Sequence, residues 1–386
     1  MTTTKNNEHK KLNVPNLRFK EFQGEWEKCT LNEVCKFHNG RAYKQTELLA
    51  AGKYRVLRVG NFFTNDSWYY SNLELEDNKY AQNGDLLYAW SASFGPRFWR
   101  EEKVIFHYHI WKIDSFKNVD KNFLYHFLDL DSVKIKNEVQ GGTMVHITKG
   151  DMEKRTISYP SVLEQRNIAR FLFLLDERIA TQNKIIEDFK KLKSAIIEKL
   201  YKGIQGTWYS YRQLFSIINE RNKQLEYSNV LSASQERGMV SREDLNLDIH
   251  FERSNISTYK IVKNGDYVIH LRSFQGGFAF SEKTGICSPA YTVLRPNNLL
   301  VYGYLSNYFT SRDFVKSLII VTYGIRDGRS INVDEWLDMK VVIPSKKQQT
   351  HIVNVIESIE NKIKNEETYS NCLLNQKQYL LRQMFI

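Results

Sequence analysis

The chain has 386 residues, 42% hydrophobic and 13% aromatic, which is enough for two or three domain cores and excludes a disordered chain. No run approaches the roughly 18 apolar residues that a bilayer-spanning helix needs. The opening MTTTKNNEHKK has no apolar stretch behind its charges, so no signal peptide and a cytoplasmic protein are expected. The net charge of +11 is spread as +4 over 1–160, +3 over 161–203, +2 over 204–344 and +2 over 345–386. That distribution suits a protein that meets a polyanion at several points.

In chain order, FQGEW (22–26) and IQGTW (204–208) place Gln, Gly and Trp at one spacing. Each reads as a turn with its Trp packed underneath. NGDLLYAW at 83 and NGDYVIHL at 264 follow, 181 residues apart, each a tight turn feeding a strand. The loops SASFGPRFWR (91–100) and RSFQGGFAFS (272–281) come next. Then 146–172 matches 330–356 at a constant offset of 184, pairing Ile147 with Ile331, Pro160 with Pro344, Gln165 with Gln349 and Ile168 with Ile352. Four matched blocks in one order make a tandem duplication of a unit of about 180 residues.

Each unit opens with an α+β globule. Strand-like runs such as KYRVLRVGNFF, KVIFHYHIWKI, GDYVIHL and PAYTVLRP mix with helical stretches such as KNFLYHFLDLDSVKIK. A long helix then starts behind Pro160 or Pro344. The expected division is 1–160 globule, 161–203 helix, 204–344 globule and 345–386 helix. Alternating steps of four and three run through the first helix, including Leu172, Leu175, Ile179, Ile186 and Phe189. The second carries Ile356, Ile359, Ile363, Leu373 and Leu380 on the matching register. That is a coiled-coil seam, with Gln182, Lys193, Glu366 and Lys377 as polar members that fix register.

Catalytic chemistry finds little support. There is no G-x-x-x-x-G-K-[ST] loop and no G-x-G-x-x-G turn. SPAY (288–291) is faintly similar to the Asn/Asp-Pro-Pro-Tyr motif of amino-methyltransferases, but lacks its second proline and reads as a strand start. His107 and His109 fall on one face of an expected strand with no third metal ligand nearby and no counterpart in the second unit. Asp85 and Asp266 are explained by turn chemistry. Cys29, Cys35, Cys287 and Cys372 are scattered, with no C-x-x-C pair. No metal and no catalytic residue is expected.

Binding chemistry remains. Ser91, Ser93, Arg97, Trp99 and Arg100 crowd one Gly/Pro-bearing loop of the first unit; Arg272, Ser273 and Gln275 stand at the matching place in the second. A second pair of loops, QGGTMVH (140–146, with Thr143 and His146) and YGIRDGR (323–329, with Arg326 and Arg329), precedes the helices. Arg and Gln suit guanine and adenine edges, while Ser and Thr suit phosphates. The loops differ between copies where the framework does not, as two readers of different sequences require.

With VPNLRFKEFQGEW (14–26), NGDLLYAW, and YPSVLEQRNIARFLFLLDERI (159–179) with its echo IPSKKQQTHIVNVIESIENKI (343–363), the chain resembles the specificity subunit of type I restriction–modification enzymes. The resemblance implies two tandem target recognition domains, each gripping one half of a split double-stranded DNA site. The two helices would pair as an antiparallel coiled-coil spacer and dock two methyltransferase (modification) subunits. S-adenosylmethionine would belong to those subunits, ATP and Mg to restriction/translocase subunits, and this chain would supply only the address in a phage-defence system. Two other readings stay open: a stand-alone or degenerate DNA methyltransferase, and a non-catalytic two-headed coiled-coil scaffold.

Overall fold

The computed structural model describes residues 12–63, 65–91, 94–116, 118–138, 146–234, 237–245, 253–270, 277–323 and 330–386. The chain divides into two compact units: unit 1 takes in residues up to Gln182 together with Tyr369–Ile386, and unit 2 is Asn183–Thr368.

Unit 1 is built on a four-stranded antiparallel sheet in the order Cys35–Asn39, Ile110–Ser115, Leu86–Ala89, Gly95–Phe98. All four residues of the strand Leu86–Ala89 are buried, because it has a core on each face. Leu86 and Tyr88 enter one cluster with Trp26, Trp111 and Phe123, while Leu87 and Ala89 enter another with Leu57, Phe62 and Phe106. A strand covered on both faces reads as an unbroken apolar run, which is how LLYA reads. The helix Lys121–Glu138 packs on the sheet. A second four-stranded sheet joins Tyr69–Ser71, Tyr54–Leu57, Val104–Phe106 and Tyr80–Ala81. The run expected as one strand from Lys53 to Phe63 splits here: a helical turn, Val59–Phe63, follows the strand Tyr54–Leu57.

Unit 2 repeats the central sheet as Phe215–Ile218, Thr292–Pro296, Tyr267–Ile269, Phe278–Phe280. The middle strand is again shared, with Tyr267 and Ile269 in one cluster and Val268 in another. Where unit 1 has one 18-residue helix, unit 2 has the short turns Tyr308–Thr310, Arg312–Ser317 and Leu318–Val321.

The two Asn-Gly-Asp turns are equivalent in detail. Asp85 accepts from the Gln82 N–H at 2.8 Å and Asp266 from the Lys263 N–H at 2.9 Å. Gly84 and Gly265 adopt φ of 91° and 93°, left-handed values that favour glycine. A cation from the neighbouring strand then pairs with each carboxylate, Lys112 with Asp85 and Arg295 with Asp266, both at 2.9 Å.

The opening Q-G-x-W match is out of register. Strand pairing sets Glu27 against Tyr159 and Thr207 against Ile343, so Trp26 corresponds to Gly206, and Trp208 to Lys28. Trp26 is buried in the core beside Phe123, whereas Trp208 is 64% exposed. No side chain fits at 206, where a Cβ would lie 2.3 Å from the Ile343 carbonyl oxygen. The tryptophan of unit 2 enters from another element: Trp336 stacks on Tyr211 at 4.3 Å, and Met152 holds the matching place in unit 1.

The long helices are Val162–Tyr201 and Lys346–Met384, 40 and 39 residues. Both start behind a latch. Gln165 Nε2 donates to the carbonyls of Pro160 (2.8 Å) and Asn118 (2.7 Å), and its Oε1 accepts from the Asp120 N–H at 2.8 Å. Gln349 does the same with Pro344 and Leu299, both at 3.0 Å, and with the Val301 N–H at 2.8 Å. Both amides are fully buried, so every polar atom in the latch needs its partner.

The helices pair antiparallel in each unit. In unit 1, Lys377 lies 2.7 Å from Asp176, and Arg178 donates to the Tyr369 hydroxyl. In unit 2, Lys190 pairs with Glu367 at 2.7 Å and Lys193 with Glu360 at 2.6 Å. On the seam, Leu172, Ile179, Ile186, Ile356, Ile363, Leu373 and Leu380 are buried, and Leu175, Phe189 and Ile359 are half-buried. Gln182 is also buried, and Glu366 pairs with Lys362 within its own helix. Lys193 and Lys377 hold matching places in the duplication, as do Asp176 and Glu360. The two cross-helix pairs are thus one contact used twice. Towards the end of the first helix burial moves from Ile196 to Ile197, where the helix packs on the globule of unit 2.

Candidate nucleic-acid interface

Three segments of unit 1 meet at one end of the central sheet. The pairing of Ala89 with Gly95 closes one loop. Ser91, itself buried, forms a main-chain bridge to the exposed His146, and the Ile147 N–H reaches the Trp90 carbonyl at 3.4 Å. The two segments nominated from the sequence therefore touch at Ser91 and His146. The third segment is the turn 107–109. His107 and His109 do not lie along a strand: the Ile110 N–H donates to the His107 carbonyl at 2.9 Å, closing a turn between Val104–Phe106 and Ile110–Ser115. Trp90 ties this turn to the loop, its main-chain N–H reaching the His109 carbonyl at 3.1 Å and its Nε1–H the Tyr108 carbonyl at 2.8 Å.

The two arginines expected in that loop lie elsewhere. Arg97 is exposed on the strand Gly95–Phe98, with its guanidinium 5.6 and 5.2 Å from the rings of Phe62 and Phe63 and a hydrogen bond to the Phe62 carbonyl. Pro96 made this stretch read as a loop, yet the strand is at the sheet edge, where a missing N–H costs no ladder bond. Arg100 lies beyond the far end of that strand, over the ring of Phe98. It lines a cavity of about 450 Å³ with Asn122, Arg166, Arg170 and Phe173 at the start of the long helix. Trp99 is buried, its Nε1–H on the Glu102 carbonyl at 2.7 Å. Ser93 and Thr143 fall outside the described residues, as do Arg272, Ser273, Gln275, Arg326 and Arg329 of unit 2. Both unit 2 loops are closed at the base by described residues: the His270 N–H donates to the Gly277 carbonyl at 2.6 Å, and Thr322–Tyr323 pairs with Ser330–Ile331.

Cations that sequence reading passed over stack on aromatic rings around unit 1: Arg41 on Tyr43 at 5.3 Å, Arg55 on Trp68 at 4.7 Å and Arg58 on Tyr69 at 4.3 Å. Such stacking orients a guanidinium while leaving its edge N–H groups available. Arg41 is further held by Glu47 through two hydrogen bonds of 2.8 and 3.0 Å. Burial pushes the His107 imidazole down to about 4, with the charges of His109 and Arg58 adding to it, and burial also lowers His109. Both rings are neutral at pH 7. Burial raises the thiols of Cys35 and Cys287 to about 12, so neither is a nucleophile. Among the described residues no three His, Cys, Asp or Glu gather as a metal site, and no helix is long and apolar enough to cross a membrane.

Comparison with known proteins finds likenesses to part of this chain. Residues 23–191 match the type I restriction modification DNA specificity domain. Over that stretch the chain is similar to type I specificity proteins. It is 29% identical over 126 residues to the type I restriction enzyme MjaVIII specificity subunit of Methanocaldococcus jannaschii, covering 32% of this chain and 30% of that one. It is 22% identical over 185 residues to the EcoBI specificity subunit of Escherichia coli, covering 46% and 39%. The matched stretches thus span well under half of either relative.

The fold extends further than these matches. The crystal structure of a type I restriction-modification S subunit from M. genitalium aligns over 97% of this chain and 99% of its own, with a TM-score of 0.53 and 15% identity. A structure from work on complex assembly and conformational transition of the type I R-M system aligns over 92% and 96%, with a TM-score of 0.59 and 14% identity. The specificity domain match, 23–191, covers most of the globule of unit 1 and most of the helix Val162–Tyr201 behind it. Unit 2 is its structural repeat, as the shared Asn-Gly-Asp turn and glutamine latch establish.

Proposed function

We propose that this chain is the DNA-reading, non-catalytic subunit of a type I restriction–modification complex, with each unit reading one half of a bipartite duplex site. The observation that carries the reading is a shared framework holding unlike segments. The Asn-Gly-Asp turn, the strand order of the central sheet and the glutamine latch repeat, while the side chains at the reading end differ. Bases are read by side chains that reach groove edges, so two readers on one framework must differ there and only there. The spread of positive charge supplies the sequence-independent part of binding through phosphate contacts.

On this reading the complex acts in the cytoplasm, the paired helices space the readers, and two methyltransferase subunits dock along them. S-adenosylmethionine, ATP and Mg are held by the methyltransferase and restriction/translocase subunits. The seam residues Leu172 to Leu380 serve pairing and docking, and Ser91, His146 and Arg97, with Arg272 and Arg326 in the second copy, serve the DNA. The test is methylome sequencing of cells expressing the chain with its methyltransferase partner. A methylated motif of two short half-sites separated by unspecified bases is expected; a continuous motif, or none, contradicts the reading.

A further inference from the structure

The duplication places SPAY in a new light. The Tyr291 N–H donates to the Ser288 carbonyl at 3.1 Å, the same hydrogen bond that Ile110 makes to His107. Each turn joins the same two framework strands, Val104–Phe106 to Ile110–Ser115 and Gly285–Cys287 to Thr292–Pro296. SPAY is therefore no strand start, and the turn HYH has a counterpart after all: Ser288-Pro289-Ala290.

The turn in unit 1 is held through its own main-chain groups. The His107 N–H reaches the Leu57 carbonyl at 2.9 Å, the Tyr108 N–H reaches the Arg41 carbonyl at 3.1 Å, and the Arg41 N–H reaches the Phe106 carbonyl at 3.0 Å. Gly40 permits this approach, since a Cβ there would fall 2.3 Å from the His107 carbonyl oxygen. Backbone fixes the position and leaves the side chains free of framework duties. They are also presented outward: Tyr108 is 39% exposed, and His107, His109 and Trp90 are partly exposed with their rings clustered around it. All of this adjoins the Ser91–His146 bridge.

Resting on the function proposed above, we propose that the turn His107–His109 is a base-reading element of unit 1, and that Ser288–Ala290 is the corresponding element of unit 2. A turn anchored by backbone and differing wholly in side chains is what a specificity determinant needs. Neutral imidazoles and a phenol offer hydrogen bonds to base edges with little pull on phosphates, so this contact adds sequence preference with little salt dependence.

The experiment uses the full chain in complex with its methyltransferase subunits, carrying Tyr108→Ala or His109→Ala, with methylation read by sequencing over a randomised target library. Strictness is expected to fall about ten-fold at one or two positions of a single half-site. The other half-site should be unchanged, and the salt dependence of DNA binding equal to wild type. Should Tyr108→Ala fail to accumulate, His109→Gln reads the same positions with size and neutrality kept. An unaltered motif in the soluble variants, whether methylation is at full rate or uniformly slower, overturns the assignment. If the wild-type complex itself yields no bipartite motif, the function proposed above fails, which is a separate result.

Discussion

Unit 1 builds its core around Trp26 and unit 2 around Trp336, yet both hold the same turn, sheet and latch. The two tryptophans come from unrelated elements, and each has a small or slender counterpart, Gly206 for Trp26 and Met152 for Trp336. The difference teaches which constraints are strict. Hydrogen bonds buried at the latch admit one solution, because each unmade bond leaves a buried polar group stranded. Core volume admits several, provided the total is filled. The turns His107–His109 and Ser288–Ala290 answer to neither constraint, and they share a main-chain hydrogen bond but no side chain.

This comparison can be broken most sharply at the two tryptophans. Trp26→Ala should destabilise unit 1 by about 3–5 kcal/mol through the cavity it leaves, while Trp208→Ala should stay within about 0.5 kcal/mol. Chemical unfolding, with hydrogen exchange resolved by peptide to assign each unit, checks both. Equal costs would restore the register that the shared Q-G-x-W suggests.

The latch should show the opposite pattern. Gln165→Leu and Gln349→Leu each strand two carbonyls and one N–H, costing about 2–4 kcal/mol in the unit concerned. Similar losses in the two units confirm a strict framework; a loss in one alone would make the latch a local accident.

A smaller contrast is set by pH. His126 is fully buried in unit 1, and burial, helped by the charge of Lys377, pushes its imidazole down to about 3. At the 181-residue offset the sequence of unit 2 has Asn307. A lowered folded value means that stability is fully present above the ordinary histidine range, near 6.5, and is lost as pH falls from there toward 3. At pH 5 the loss from this group is about 2 kcal/mol relative to pH 7. His126→Asn should remove that dependence from unit 1, measured by unfolding at the two pH values, and leave unit 2 as it was.

Much of this was legible beforehand. The helical seam persists over 30 residues, so chance interruptions cannot hide it, and the Pro-x-x-x-x-Gln and Asn-Gly-Asp matches are side-chain signatures of specific bonds. Other features were not legible, three of them for clear physical reasons. Q-G-x-W misled because short identity does not sense strand pairing, which sets register. Gly95-Pro96 read as a loop because an edge strand tolerates proline. The kinship of His107–His109 with Ser288–Ala290 left no trace because a main-chain hydrogen bond holds the turn, and main chain has no signature in sequence.

The central claim is one framework and two independent readers. It is tested most directly by two methylomes, one from a chain with the segment 140–146 replaced by an unrelated loop of equal length, the other with 323–329 replaced likewise, each in complex with the methyltransferase. The account predicts that the first alters one half-site and the second alters the other, with the spacer unchanged in both. A replacement in either unit that changes both half-sites would contradict it.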